Sequence, residues 1–161
     1  INVATGKVAA HYGDTRTEED FCDFIKGLVE TNPGFQRYHF VCDQLNTHKT
    51  ESLVRYVDYY CGLNLELGLK GKHGILKSMQ SREDFLCDPS HPIVFHYTPK
   101  HASWMNQIEI WFGILAKKVV KRGHFSSKED LKTKLLVFID FFNRTMAKPF
   151  KWTYQGKVLA A

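Results

Sequence analysis

The segment RYHFVCD at residues 37–43 most constrains the fold, because it is apolar, aromatic and β-branched and ends in an acid. This composition is typical of a buried β-strand. To its amino-terminal side, TEEDFCDFIKGLVE places Phe21, Phe24, Ile25 and Leu28 on one helical face. A second helix is predicted over residues 48–61. A strand between two amphipathic helices indicates an α/β domain.

The remaining patterns continue this alternation of strands and helices. NVATGKVAA predicts two short strands around a tight turn, and PIVFHYTP predicts another strand. Helices are predicted over 103–122 and over 127–146. Residues 62–92 are rich in glycine and are interpreted as an insertion with little regular structure, apart from a short helical patch near LKSMQSREDFL. We therefore predict one α/β domain with a mixed sheet over residues 1–161.

The details of each predicted helix concern its caps and its buried face. Thr17 and Asp20 are predicted to form a capping box at the start of the first helix. Asn46 or Thr47 is predicted to cap the second helix, and its inward-facing residues are predicted to be Leu53, Val57 and Tyr60.

Composition favours some classes of protein and disfavours others. The chain has 161 residues, with 22 Lys and Arg against 17 Asp and Glu, a net charge of +5. This excess favours a polyanionic partner. The four cysteines form no C-x-x-C pair, so we predict reduced thiols and neither a disulfide framework nor a zinc site. No apolar run approaches the roughly 18 residues of a membrane span.

Two acids stand in positions that need an explanation. Asp43 ends the predicted buried strand, where open α/β sheets bind ligands, although it could equally cap the following loop. Glu109 lies in the apolar segment KHASWMNQIEIWFG with no base within helical reach, and its alternative interpretation is a partly buried acid satisfied by backbone or water. Two acids in one cleft repel each other unless a cation separates them, and their oxygens suit Mg²⁺ or Mn²⁺.

Three segments resemble the bacterial insertion-sequence transposases related to mariner elements: VCDQLNTHKTESL, HYTPKHASWMNQIEIWFGILAKKVVKRGHFSS and FFNRTMAKPFKWTYQGK. The resemblance covers nearly the whole chain. It implies a ribonuclease-H-like mixed sheet flanked by helices, with a D, D, E triad that binds two divalent ions. Asp43 matches the second Asp and Glu109 the Glu, 109 − 43 = 66 positions apart. The insertion at 62–92 accounts for that long separation.

The first Asp of the triad has no clear counterpart. The resemblance implies that it belongs to a first central strand, whereas Asp14 falls in a polar loop and Asp23 in a predicted helix. We therefore expect that this strand and its Asp are absent and that the domain is partial and amino-terminally truncated. We also expect it to be catalytically incomplete and inactive alone. The helix-turn-helix region by which such transposases find their terminal repeats is expected to be missing too.

The resemblance implies a DNA transposase core that carries out divalent-metal-dependent phosphodiester cleavage and strand transfer at insertion-sequence ends. The alternative is a catalytically inactive DNA-binding or assembly remnant that lacks the first Asp. A third possibility is an unrelated α/β nuclease or phosphatase. The implied partners are transposon-end and target DNA and a second copy in a homodimer. The implied location is the bacterial cytoplasm, at the nucleoid, with no membrane association.

Other residues are candidates for a supporting role. Candidate DNA-phosphate contacts are Lys100, His101, Lys117, Lys118, Lys121 and Arg122; a solvated helix face is the alternative for the last four. Asn46 and His48 could position the loop after Asp43 or touch a phosphate, but helix capping is the favoured interpretation. Core positions are predicted for Trp104, Trp111 and Phe112. No metal-ligand spacing links His39, His73, His91 and His96, so these are assigned no role.

Overall fold

The computed structural model describes residues 1–99 and 106–149. These residues fall into two compact units, one of residues 11–113 and one of residues 1–10 together with the segment from 114 onward. The elements are α1 (Glu18–Glu30), β1 (Tyr38–Cys42), α2 (Glu51–Cys61), α3 (Met79–Leu86), β2 (Ile93–Tyr97), α4 (Gln107–Leu115) and α5 (Lys128–Thr145). Short 3-10 turns at Asn46–His48 and Ile75–Lys77 and a π-helical turn at Ala116–Val120 complete them.

The larger unit is built on a two-stranded parallel sheet, so the predicted α/β class is confirmed. β1 and β2 pair in register from Tyr38 opposite Ile93 to Cys42 opposite Tyr97. Parallel strands need a crossover, and here the crossover contains α2 and α3. Because the strands are parallel, their carboxyl ends lie at the same edge of the sheet. The predicted antiparallel part of a mixed sheet does not occur among residues 1–99 and 106–149.

The tight turn predicted in the amino-terminal segment is confirmed, but residues 1–10 do not form the two strands predicted around it. Residues 3–5 form a turn, closed by hydrogen bonds from Gly6 N to Asn2 O (2.7 Å) and from Asn2 N to Lys7 O (2.8 Å). The backbone of Val8 then pairs with a side chain instead of a strand: Val8 N donates to Asn143 Oδ1, and Asn143 Nδ2 donates to Val8 O, both at 2.8 Å. An amide side chain presents the same donor and acceptor as a neighbouring strand, so no hairpin is needed to satisfy this backbone.

One apolar core joins the inner face of the sheet to α1, α2 and α3. The predicted capping box of α1 is confirmed, with Thr17 and Asp20 bonded reciprocally. The buried face of α1 is Cys22, Ile25 and Val29, one position further along than most of the predicted stripe. Phe21 packs at the margin of this core.

The second helix begins later than predicted. Its cap is Thr50, whose side chain accepts a hydrogen bond from Leu53 N, because Asn46–His48 forms a 3-10 turn before it. Leu53 and Val57 are fully buried as predicted, whereas Tyr60 is exposed, so its predicted inward position was wrong. Asn46, Thr47 and His48 therefore do not cap α2.

Residues 62–92 are an integral part of the core, which contradicts their interpretation as a largely irregular insertion. The short helix predicted near LKSMQSREDFL is confirmed as α3, which starts with a capping box between Ser78 and Ser81. Leu76 and Leu86 have no exposed surface. Gly68 and Gly74 have φ of +83° and +74°, and a Cβ at either would lie within 2.5 Å of opposing backbone, so the close turn between them requires glycine.

The last two predicted helices are present with altered bounds. α4 starts at Gln107 and passes into the π-helical turn Ala116–Val120, while residues 103–105 lie outside the described part of the chain. α5 follows the prediction closely, with Ser127 as its cap. In the described ranges, no helix combines the length and the apolarity that a membrane crossing requires.

Candidate active site

Asp43 directly follows β1, at the edge where both parallel strands end. Its carboxylate is 28% exposed, and Asp43 Oδ1 lies 2.8 Å from His48 Nδ1. Leu45 N also donates to Asp43 Oδ1, at 3.3 Å. The carboxylate is thus held by two donors and still reaches solvent. This is the strand-end position at which α/β sheets place ligand-binding side chains.

Residues of two other elements, α1 and β2, hold His48 in place. Its ring packs against Phe21 of α1 with centroids 4.3 Å apart, and its backbone oxygen accepts a hydrogen bond from Tyr97 Oη at 2.7 Å. Burial raises the pKa of the Tyr97 phenol, so this group remains a donor. Because a carboxylate only accepts, the contact with Asp43 assigns the proton to His48 Nδ1. His48 therefore orients Asp43, and the predicted capping role was wrong.

The thiol beside Asp43 is buried and poorly suited to ligand binding. Cys42 is buried, and loss of hydration raises its pKa to about 12. It remains a neutral thiol at physiological pH, and a neutral thiol is a poor metal ligand. Asp43 and its neighbours thus present oxygen rather than sulfur donors.

Glu109 lies in the first turn of α4 and is exposed. Its backbone N–H donates to Asn106 O at 3.0 Å. Trp111 is buried as predicted, but Phe112 is half exposed, so its predicted core position was wrong; Trp104 falls outside the described residues. The apolar segment therefore anchors α4 through Trp111 and leaves the Glu109 carboxylate in solvent.

Asp43 and Glu109 belong to the same compact unit. A carboxylate close to the Asp43–His48 pair would complete a group of three potential ligands, and the described ranges contain no such group. Asp14 lies in a loop, and Asp23 is an exposed residue of α1 that pairs with Lys26 at 3.1 Å. Among the described residues, Glu109 is therefore not part of a metal-ligand group with Asp43. The carboxylate oxygens of Asp43 at the strand end are of the kind that Mg²⁺ or Mn²⁺ prefers.

A buried polar network fixes the loop that carries Asp43. Lys49 is 4% exposed, and its ammonium contacts Glu83 Oε2 at 2.6 Å, Gln44 Oε1, and the ring of Tyr97 at 4.6 Å from the centroid. Arg82, also buried, donates from Nε to Lys49 O at 2.7 Å.

The same network reaches the end of β2 and the segment before α3. Gln44 Nε2 donates to Thr98 O at 2.8 Å, and Arg82 Nη1 donates to Leu76 O at 3.0 Å. Two consecutive residues of α3 thus hold the loop between β1 and α2. Nothing in the sequence pattern marked Arg82 and Glu83 for this role, because both reach Lys49 across more than 30 positions.

The predicted basic residues fall in two places. All four of those after Glu109 are exposed: Lys117 and Lys118 in the π-helical turn, and Lys121 and Arg122 after it. They belong to the second compact unit. Lys100 and His101 lie outside the described residues.

Comparison with known proteins identifies the family of this chain. The model of a family described as DDE superfamily endonuclease matches residues 1–132. Comparison with curated proteins and with solved structures gave no match. The family match includes β1 with Asp43, the crossover with α3, and α4 with Glu109. Since it spans most of the 161 residues, the chain belongs to the DDE superfamily endonucleases.

Proposed function

We propose that this endonuclease domain is the catalytic core of a DNA transposase of the bacterial insertion-sequence type related to mariner elements, with a ribonuclease-H-like arrangement. Its reactions are phosphodiester cleavage at the transposon end and transfer of the freed 3′-hydroxyl to target DNA. The observation that carries the proposal is the position of Asp43, an oriented carboxylate at the carboxyl end of a parallel strand, within the family match.

Asp43 and Glu109 are the proposed catalytic and metal-binding residues. When bound, two divalent ions would neutralise charge on the phosphate oxygens and activate the attacking oxygen. The part played by the chain is to hold carboxylate oxygens ready: His48 Nδ1 and Leu45 N orient Asp43 before any ligand arrives. Such preorganisation lowers the cost of binding and of charge development.

Glu109→Gln should abolish DNA cleavage in the presence of Mg²⁺ or Mn²⁺. The amide keeps the size of the side chain but removes the negative charge that attracts a divalent ion. Glu129→Gln is the matched control, because Glu129 is also exposed in the first turn of a helix. Cleavage of a DNA duplex would be measured for both variants and the wild type. Undiminished cleavage by Glu109→Gln would remove Glu109 from the proposed catalytic site.

Exposed lysines after Glu109 are proposed to contact DNA phosphates. Each phosphate contact adds about 0.9 to the slope of log binding constant against log salt concentration. Replacing Lys117, Lys118 and Lys121 by alanine should therefore flatten this slope by up to about 2.7. The measurement is DNA binding by fluorescence anisotropy at several salt concentrations. Replacing Lys7, Lys26 and Lys72 by alanine removes the same number of charges elsewhere and serves as the control. An equal effect of both triple variants would mean that Lys117, Lys118 and Lys121 form only a solvated helix face.

A second candidate function is DNA binding without turnover, as an assembly component. It is favoured by one observation: in the described ranges, no third ligand joins the Asp43–His48 pair. The two candidates separate when binding and cleavage are measured on one sample. Salt-dependent binding with no cleavage under either ion supports the second candidate, and cleavage that requires Glu109 supports the first. In either case we propose DNA as partner and a homodimer as the active complex.

A further inference from the structure

Two histidines lie side by side on the face of the sheet that points away from the core. His39 of β1 is opposite Val94, and His96 of β2 is opposite Val41, so both side chains share one face. His39, His96 and Val41 are exposed, whereas Val94 on the same face is buried. The core side chains Tyr38 and Phe40 alternate with them and point the other way.

The two imidazoles have the separation of neighbouring ligands on one metal ion. His39 Nδ1 and His96 Nε2 are 3.0 Å apart, and the ring centroids lie 5.2 Å apart with an interplanar angle of 26°. Two nitrogens at right angles around an ion, each with a bond of about 2.1 Å, are about 3.0 Å apart. Tetrahedral ligands would be about 3.4 Å apart, so the spacing fits square-planar or octahedral coordination better.

We propose that His39 and His96 form a two-imidazole site for a divalent transition-metal ion of the Ni²⁺ or Cu²⁺ class. Imidazole nitrogens suit these ions, whereas Mg²⁺ prefers oxygen ligands, so this site differs in chemistry from the carboxylates Asp43 and Glu109. The ion replaces the hydrogen bond that joins the rings, and solvent completes its coordination at the exposed face. The site ties β1 to β2 from outside the core.

The positions of the two histidines in the sequence do not indicate this site. His39 and His96 are 57 positions apart, and only the parallel register of β1 and β2 brings them together. Every second residue of a strand has its side chain on the same face of the sheet. His39 and His96 both have their side chains on one face, so they become neighbours when the strands pair. The sequence analysis assigned no role to His39 and His96 and therefore missed their pairing. His73 is still assigned no role.

Calorimetric titration of Ni²⁺ into the untagged protein tests the site, with excess Mg²⁺ present to occupy the carboxylates. We expect one equivalent of Ni²⁺ to bind the wild type. His39→Gln and His96→Gln should each weaken Ni²⁺ binding by about 10²-fold. The remaining imidazole then binds the ion alone, without a second imidazole held close by at a fixed distance. Ni²⁺ should also raise the Tm of the wild type but not of either variant.

The matched control is His73→Gln, an exposed histidine away from the sheet face, which should bind Ni²⁺ like the wild type. Equal losses in all three variants, or unchanged affinity in His39→Gln and His96→Gln, would overturn the proposal. Asp43→Asn should leave Ni²⁺ binding intact. Failure of this site and failure of the proposed nuclease function are therefore separate outcomes.

Discussion

Asp43→Asn should lower the rate of metal-dependent DNA cleavage by at least about 10²–10³-fold, the loss that follows removal of one preorganised group from a site that stabilises developing charge. Asparagine can still accept the hydrogen bonds from His48 Nδ1 and Leu45 N, so the loop should keep its shape. What it lacks is the negative charge that holds a hard cation. We expect Mn²⁺ affinity, measured by calorimetry, to fall together with the cleavage rate.

Asp84→Asn is the control for this loss of charge. Asp84 is an exposed residue of α3 that accepts a hydrogen bond from Gln80 at 2.8 Å, and its replacement should change neither Mn²⁺ affinity nor cleavage. An Asp43→Asn protein whose Mn²⁺ titration matches the wild type would remove Asp43 from the site. Circular dichroism of each variant verifies that the fold is retained.

Local patterns predicted the elements whose cause is local. β1 was predicted because its apolar, β-branched and aromatic residues suit a buried strand, and β2 for the same reason. The capping box of Thr17 and Asp20 was predicted because both partners lie within one turn. With β1 located, the placement of Asp43 at the carboxyl edge followed directly.

Long-range packing decided the elements that the pattern missed. The glycines of residues 62–92 indicated irregular structure, but Gly68 and Gly74 serve one close turn, and the rest of the segment supplies core residues such as Leu76. Similarly, NVATGKVAA was predicted to form two short strands around its turn, yet Asn143, 135 positions from Val8, takes the hydrogen bonds of a strand partner. No pattern within a short window around Val8 contains Asn143.

The same distinction explains the errors in the candidate site. His48 was interpreted as a cap because it precedes a helix, but its position is set by Phe21 in another helix and by Tyr97 on β2. The alternative interpretation of Glu109 as a partly buried acid was wrong, because Glu109 in the first turn of α4 faces solvent while Trp111 faces inward. Neighbours in sequence on a helix point in different directions, so they do not determine burial.

Glu83→Ala should destabilise the protein by about 3 kcal/mol, because it leaves the Lys49 ammonium buried without a counter-charge. Lys49 is 4% exposed and Glu83 23% exposed, at 2.6 Å from each other. The pair joins α3 to the loop after β1. Its loss should therefore weaken the packing of α3 and also loosen the loop that carries Asp43. The measurement is the free energy of unfolding from urea denaturation followed by circular dichroism.

A double variant separates this cost from lost packing. Replacing Lys49 by Met as well as Glu83 by Leu removes both charges and keeps the volume, so it should recover much of the stability lost in Glu83→Ala. Asp23→Ala, which breaks the exposed pair with Lys26, should cost less than about 1 kcal/mol. Equal costs for Glu83→Ala and Asp23→Ala would contradict a buried ion pair. A double variant less stable than Glu83→Ala would show that the pair is itself required to hold α3 on the Asp43 loop.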